Sequence, residues 1–147
     1  MCTQYSVCHS NAKTPRDLEW ADSLVLAALR IQEACGCPML MENPYSSLLK
    51  RRPFMRGIDR VAVDYCKWWS EGFGHRCRKR TAIYRVGADW EPSRPLCNHD
   101  CGFCEGRRHW ETIGNDTAQR HVRCTDDMYA IPPLLCRDIA RKVAETH

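Results

Sequence analysis

Cys97, Cys101, Cys104 and His109 put three thiols and an imidazole within one short stretch of chain. Soft and borderline ligands at such spacing suit a tetrahedral zinc ion, and a site closed by four protein ligands is structural rather than catalytic. His99 competes for a place in that set, and Cys124 could enter it from further along. The surrounding segment has little apolar periodicity, so a metal staple would help it fold. The spacing only approximates known zinc patterns, and a set of reduced loop thiols is the plain alternative. The chain carries 11 cysteines and no apolar signal core near its amino end. That combination points to thiols in a reducing, intracellular compartment, nucleus or cytoplasm, rather than to a disulfide framework.

Charge picks out a second region. Residues 48–80 hold 10 Lys and Arg against 3 Asp and Glu, a net of +7, while residues 1–47 net −2 and residues 81–147 net −1. Lys50, Arg51, Arg52, Arg76 and Lys79 in that central segment are therefore the expected contacts for a polyanion such as DNA. A solvated basic surface is the competing reading. No run of about 18 apolar residues occurs, so no membrane span is expected.

The elements that must position these groups can be read from pattern. Residues 14–35 have helical spacing of Leu18, Ala21, Leu24, Val25, Ala28 and Leu29, with Leu26, Ala27 and Ile31 widening the stripe. Thr14 is the expected cap, Pro15 suits the first turn, and Gly36 and Pro38 stop the helix. Met39–Met41 reads as a short buried strand ending at Glu42, since Pro44 cannot serve a central ladder. Val61–Tyr65 and Ala82–Val86 read as two more strands, with Gly72 and Gly74 breaking the chain between them. Residues 87–127 form a Cys- and His-rich irregular lobe. Pro132-Pro133 opens a last helix to about Ala144, with Leu134, Leu135, Ile139, Ala140 and Val143 inward. This succession predicts an α/β layer with sites at the strand ends, and Glu42 stands at one such end.

Taken in order, several stretches carry a resemblance. Cys2-Thr3-Gln4-Tyr5-Ser6 looks like a catalytic cysteine loop, and Asp17-Leu18-Glu19 with Ala21-Asp22 and Leu24-Val25 like the helix after it. Glu42-Asn43-Pro44 with Ser47-Leu48-Leu49 is similar to a Glu-Asn motif. Val63-Asp64-Tyr65-Cys66 followed by Arg78-Lys79-Arg80-Thr81 resembles a strand and arginine motif. Ala130-Ile131-Pro132-Pro133-Leu134-Leu135 resembles a closing motif. The ensemble, in this order and over nearly the whole chain, resembles the catalytic part of the cytosine-5 DNA methyltransferases.

The resemblance implies a fold and a chemistry. The fold is α/β: a partial Rossmann-like methyltransferase sheet with flanking helices, plus the small Cys/His-rich lobe. Residues 1–147 would be one truncated catalytic domain, with 87–127 a target-recognition insert within it. Carbon 5 of cytosine is too weak a nucleophile until a thiolate adds to carbon 6, and the base must first leave the duplex. By the resemblance Cys2 is that thiolate and Glu42 the acid at ring nitrogen 3. Asn43 orients the Glu42 loop, and Arg78 and Arg80 hold the flipped base and the catalytic loop. Arg76 stands where the family often has Gln.

The resemblance also implies S-adenosylmethionine as cofactor. The Gly-rich turn that would bind it is not found ahead of Cys2, and Gly72, Gly74 and Gly102 all follow the cysteine. The expectation is that this chain alone binds the cofactor weakly or not at all, and that a separate chain or segment supplies that half. RNA is the alternative substrate, since the same cysteine chemistry serves both. A non-enzymatic zinc-stabilised nucleic-acid-binding module and an inactive methyltransferase remnant are the competing readings.

Overall fold

A computed structural model describes residues 4–7, 15–71, 76–111 and 129–146. They form a mixed α/β arrangement: helix α1 (Leu18–Cys35), strands β1 (Met39–Pro44), β2 (Asp59–Asp64) and β3 (Arg80–Val86), a short hairpin of β4 (Cys104–Glu105) and β5 (Arg108–His109), and helix α2 (Pro133–Thr146). Single 3-10 turns occupy Leu48–Arg51, Pro53–Met55 and Tyr65–Trp68. No helix among the described residues is long and apolar enough to cross a membrane.

The sheet has three strands in the order β1-β3-β2. β3 is central, and Thr81, Ala82, Ile83 and Tyr84 along it are all buried. β1 lies at an edge, which is why Pro44 can end it without costing a central ladder bond. The strand therefore runs past Glu42, where the sequence pattern ended it, and its buried residue is Asn43 rather than the methionines. A Rossmann-like sheet is not shown by these three strands.

The chain divides into two compact units, one of Met1–Val61 with Ala82–Asp89 and one of Ala62–Thr81 with Trp90–His147. In the first, Tyr5, Ala21, Val25, Leu49, Met55, Ala82 and Tyr84 form the core, with Leu18, Leu29 and Met41 packed against it. α1 begins at Leu18, where the apolar stripe begins, and four residues later than the expected span of 14–35. The reason is local: the Asp17 carboxylate accepts the Trp20 N–H at 2.8 Å and so caps the helix itself. Thr14 lies outside the described residues. Gly36 ends the helix at φ 62°, a left-handed conformation that glycine adopts cheaply, and its N–H donates to the Gln32 carbonyl. The buried face of α1 is narrower than expected. Leu24 and Ile31 are exposed, because Ala21 and Val25, one turn apart, take the centre of the contact.

In the second unit Tyr65, Trp68, Trp90 and Leu135 are buried. α2 packs near the Tyr65–Trp68 turn. Its buried residues are Leu135 and Asp138, whereas Ala140, expected inward, is exposed. Asp138 faces in because it accepts the indole N–H of Trp90 at 3.1 Å. Residues 112–128, which include the latter part of the Cys- and His-rich lobe and Cys124, lie outside the described residues, as do Gly72 and Gly74.

Candidate metal centre and arginine pair

The end of β2 is where the second unit is tied together. Asp64 is 1 % exposed, and its carboxylate accepts from several donors. Arg80 reaches it through Nε at 2.9 Å and Nη2 at 2.8 Å, a bidentate pair. Arg78 Nε adds a longer contact at 3.3 Å, and the main-chain N–H of Cys97 donates to it at 2.9 Å. Burial opposes ionisation of Asp64, but the Arg80 hydrogen bonds, the Cys97 amide and the two guanidinium charges outweigh it and hold the carboxyl below its usual range. Both arginines keep part of their surface open, with side chains 32 % and 35 % exposed.

Two residues beyond Asp64 comes Cys66, itself buried. Its Sγ lies with the Sγ atoms of Cys97 and Cys101 and a ring nitrogen of His109, all within 4.8 Å of one another. His109 Nε2 is 3.5 Å from Cys97 Sγ and 3.4 Å from Cys101 Sγ. The hairpin delivers His109, since its register sets Cys104 opposite His109, and Gly106 takes the positive φ of 58° that its turn needs. For a tetrahedral zinc with bonds of about 2.3 Å to sulfur and 2.0–2.1 Å to nitrogen, the S···N edge is about 3.5 Å. The His109 distances match that edge, so the cluster could hold a metal ion.

The protonation preferences within the cluster follow its packing. Burial, then the neighbouring Cys97 and Cys101 sulfurs, pushes the Cys66 thiol far above its ordinary value. Burial also opposes ionisation of Cys97, yet hydrogen bonds from Cys66 and Cys101 and from backbone amides leave it below that value. His109 is held low by burial and by the nearby His99 and Arg78, which favours a neutral, ligating ring. Beside the cluster is an open groove of about 380 Å³, with Lys67, Trp69, Arg94 and Phe103 among its lining residues.

Three of the four metal ligands expected from spacing, Cys97, Cys101 and His109, are brought together here. The fourth member is Cys66, not Cys104. Cys104 Sγ lies 3.5 Å from Cys101 Sγ but groups with His99 and His109 instead. Burial and the Cys101 sulfur push its thiol up to about 12. Sequence spacing could not find Cys66, because it reaches the lobe from a strand end far upstream. The only signal was a cysteine following directly on the Val63-Asp64-Tyr65 strand end.

The other expected site residues fall as follows. Cys2 lies outside the described residues, but Gln4–Val7 after it are placed. Tyr5 is fully buried and donates from its hydroxyl to Asp22 Oδ1 at 2.8 Å. Its carbonyl accepts the Leu48 N–H at 2.9 Å. The Gln4 side chain accepts the Asp17 N–H, and Arg16 donates to the Ser6 carbonyl. Glu42 is half-buried on β1 beside the buried Asn43. Lys50 and Arg51 are exposed, with the Lys50 ammonium 5.6 Å from the Tyr45 ring centre. Arg52 is instead committed to Asp22, its Nε donating to Oδ1 at 3.0 Å and its Nη2 paired with Oδ2. Arg76 sits over the rings of Trp69 and Phe103 at 5.3 Å and 5.7 Å, and Lys79 over Tyr65 at 4.7 Å. No protein-family model, curated protein or solved structure matches this chain.

Proposed function

We propose that this chain is the catalytic part of a cytosine-5 DNA methyltransferase. The observation that carries the reading lies in the first unit. The described part of the Cys2 loop is pinned to the segment that follows Glu42-Asn43-Pro44. One tie is the Tyr5 carbonyl to Leu48, and another is the Tyr5 hydroxyl to Asp22, which also holds Arg52. A loop bearing a nucleophile and a strand bearing an acid must share one frame if they are to act on one small ring.

In this reading the Cys2 thiolate attacks carbon 6 of an extruded cytosine. A carbon–sulfur bond forms, the carbon 5–carbon 6 π pair shifts into the ring, and Glu42 gives a proton to nitrogen 3. Carbon 5 becomes nucleophilic. By the resemblance, Arg78 and Arg80 are the residues that bind the base and its neighbouring phosphate. The three-stranded sheet is then one edge of a partial Rossmann-like sheet.

S-adenosylmethionine supplies the methyl group in this chemistry. Its site is proposed to lie in a separate chain or segment. The Cys/His cluster is a scaffolding zinc site of the DNA-facing lobe.

Addition to carbon 6 labilises the carbon 5 hydrogen without any methyl donor, because carbon 5 takes a solvent proton before the sulfur leaves. The test is release of tritium from DNA labelled at carbon 5 of cytosine. Release that is abolished in Cys2→Ser and reduced about 10²–10⁴-fold in Glu42→Gln is expected. Release no faster than the Cys2→Ser background overturns the reading. Salt-dependent DNA binding that survives Cys2→Ser, without exchange, favours the zinc-stabilised binding module.

A further inference from the structure

We propose that Cys66, Cys97, Cys101 and His109 bind one zinc ion, and that this zinc locks the Arg78–Arg80 pair in place through Asp64. The inference deepens the scaffold role given to the cluster above and concerns which residues ligate and what the ion holds still. Three observations carry it. The four ligand atoms converge within 4.8 Å, with sulfur–nitrogen distances of 3.4 and 3.5 Å that fit the edge of a zinc tetrahedron. Cys66 and Cys97 are buried and Cys101 and His109 half-buried, as a closed structural site requires. The last is the wiring to Asp64. Cys66 stands two residues after Asp64, and the N–H of Cys97 is bonded directly to its carboxylate at 2.9 Å.

The charge balance follows. Zinc binding releases the thiol protons of three cysteines to solvent, and the dication with three thiolates and a neutral imidazole carries a net charge of about −1. Lys67 and Arg78 lie close enough to act electrostatically on cluster members. Two of the ligands are thus tied to the carboxylate that holds both arginines, Cys66 by two residues of chain and Cys97 by its N–H. The ion would join three thiolates and a ring that otherwise meet only through weak sulfur contacts, and so stiffen the segment whose Cys97 N–H donates to Asp64. Second-layer groups of this kind commonly orient what a metal centre serves.

Cys104 and His99 form the outer pair. His99 has a φ of 61°, unusual for a residue with a side chain, and its buried Nδ1 has no hydrogen-bond partner. In this assignment they flank the ion and do not ligate it.

The test uses the full chain purified under reducing conditions with zinc. About one zinc per chain is expected in wild type and in Cys104→Ser, with X-ray absorption showing about three sulfurs and one nitrogen in both. Cys66→Ser loses affinity by more than about 100-fold, beyond the usual effect of an outer-layer change. Should Cys66→Ser fail to fold, the absorption spectrum of Cys104→Ser decides alone: loss of one sulfur there overturns the ligand set. A zinc-free wild type also overturns it. Site-resolved hydrogen exchange reads the coupling, with the Cys97 amide and the Arg80 Nε–H protected with zinc and deprotected by chelation. Equal protection in the two states overturns the coupling. None of these readings depends on Cys2, so their failure is distinct from failure of the tritium exchange.

Discussion

The carbonyl of Tyr5 and the main-chain N–H of Leu48 are hydrogen-bonded at 2.9 Å, joining the loop after Cys2 to the turn after Glu42. The Tyr5 ring is fully buried in the core of the same unit, and its hydroxyl ends on Asp22. One residue thus fixes a loop by its carbonyl, its buried ring and its hydroxyl.

Tyr5→Phe keeps the ring and the carbonyl and removes only the bond to Asp22, which retains Arg52. It is expected to cost about 1 kcal/mol, read from the urea midpoint. Tyr5→Ala empties the core as well and should cost about 3–5 kcal/mol. If the loop frame matters for the chemistry, Tyr5→Phe retains tritium exchange within a few-fold. A Tyr5→Phe protein as unstable as Tyr5→Ala would show that the ring's burial is not what anchors the loop.

The basic segment splits into two kinds of residue. Lys50 and Arg51 are exposed, whereas Arg52 is held by Asp22. Removal of Lys50 or Arg51 should each lower the slope of log affinity for DNA against log salt by about 1 and leave stability unchanged. Arg52→Ala should leave that slope nearly unchanged and cost about 1.5–3 kcal/mol of stability, because it strips a charged hydrogen-bond partner from Asp22. Slopes measured by fluorescence anisotropy across a salt series, with melts alongside, separate the two. The reverse pattern would mean that Arg52 is the DNA contact.

Arg78 and Arg80 hold the same carboxylate unequally. Arg80 makes two contacts under 3.0 Å, and Arg78 makes one at 3.3 Å. Arg80→Lys loses the bidentate geometry and should destabilise by about 1.5–3 kcal/mol, while Arg78→Lys should cost under about 1 kcal/mol. Chemical unfolding of the zinc-loaded chain checks this. Equal losses at the two positions would show that Asp64 does not discriminate between them.

What could be read in the sequence was whatever is local. The end of α1 at Gly36 was legible because a glycine after an apolar stripe has one cheap use, the left-handed cap. The start was not, because Thr14, Pro15 and Asp17 all suit a helix start and only the Asp17 bond to Trp20 selects among them. The pattern marked Leu24 and Ile31 as inward because it sees apolar residues and not which neighbours reach them. Cys97, Cys101 and His109 were legible as one Cys/His group from short spacing. Cys66 and Asp64 were not, since the contacts that give them meaning are made by residues far along the chain.

Asp138 carries a pH dependence that can be measured. It is 7 % exposed on α2 and accepts from the Trp90 indole at 3.1 Å and the Ser93 N–H at 3.4 Å. Arg141 stands 3.6 Å away, and Lys142 adds a second positive charge. Burial opposes its ionisation, but the hydrogen bonds from Ser93 and Trp90 and the Lys142 charge prevail, so the folded carboxyl lies below its ordinary value. The unfolded chain, at about 3.9, then binds the proton more readily than the folded one. Stability from this group is therefore present above about pH 4 and lost as pH falls through the depressed folded value. Asp138→Asn should cost about 1.5–3 kcal/mol at pH 7, and the gap to wild type should shrink as pH falls below about 4. Urea midpoints of the two proteins at pH 7 and pH 3 give that gap directly, and effects of acid on the Cys/His cluster, common to both proteins, drop out of the difference. A gap that stays constant, or widens in acid, would mean that the carboxyl is not held ionised by Trp90 and Ser93.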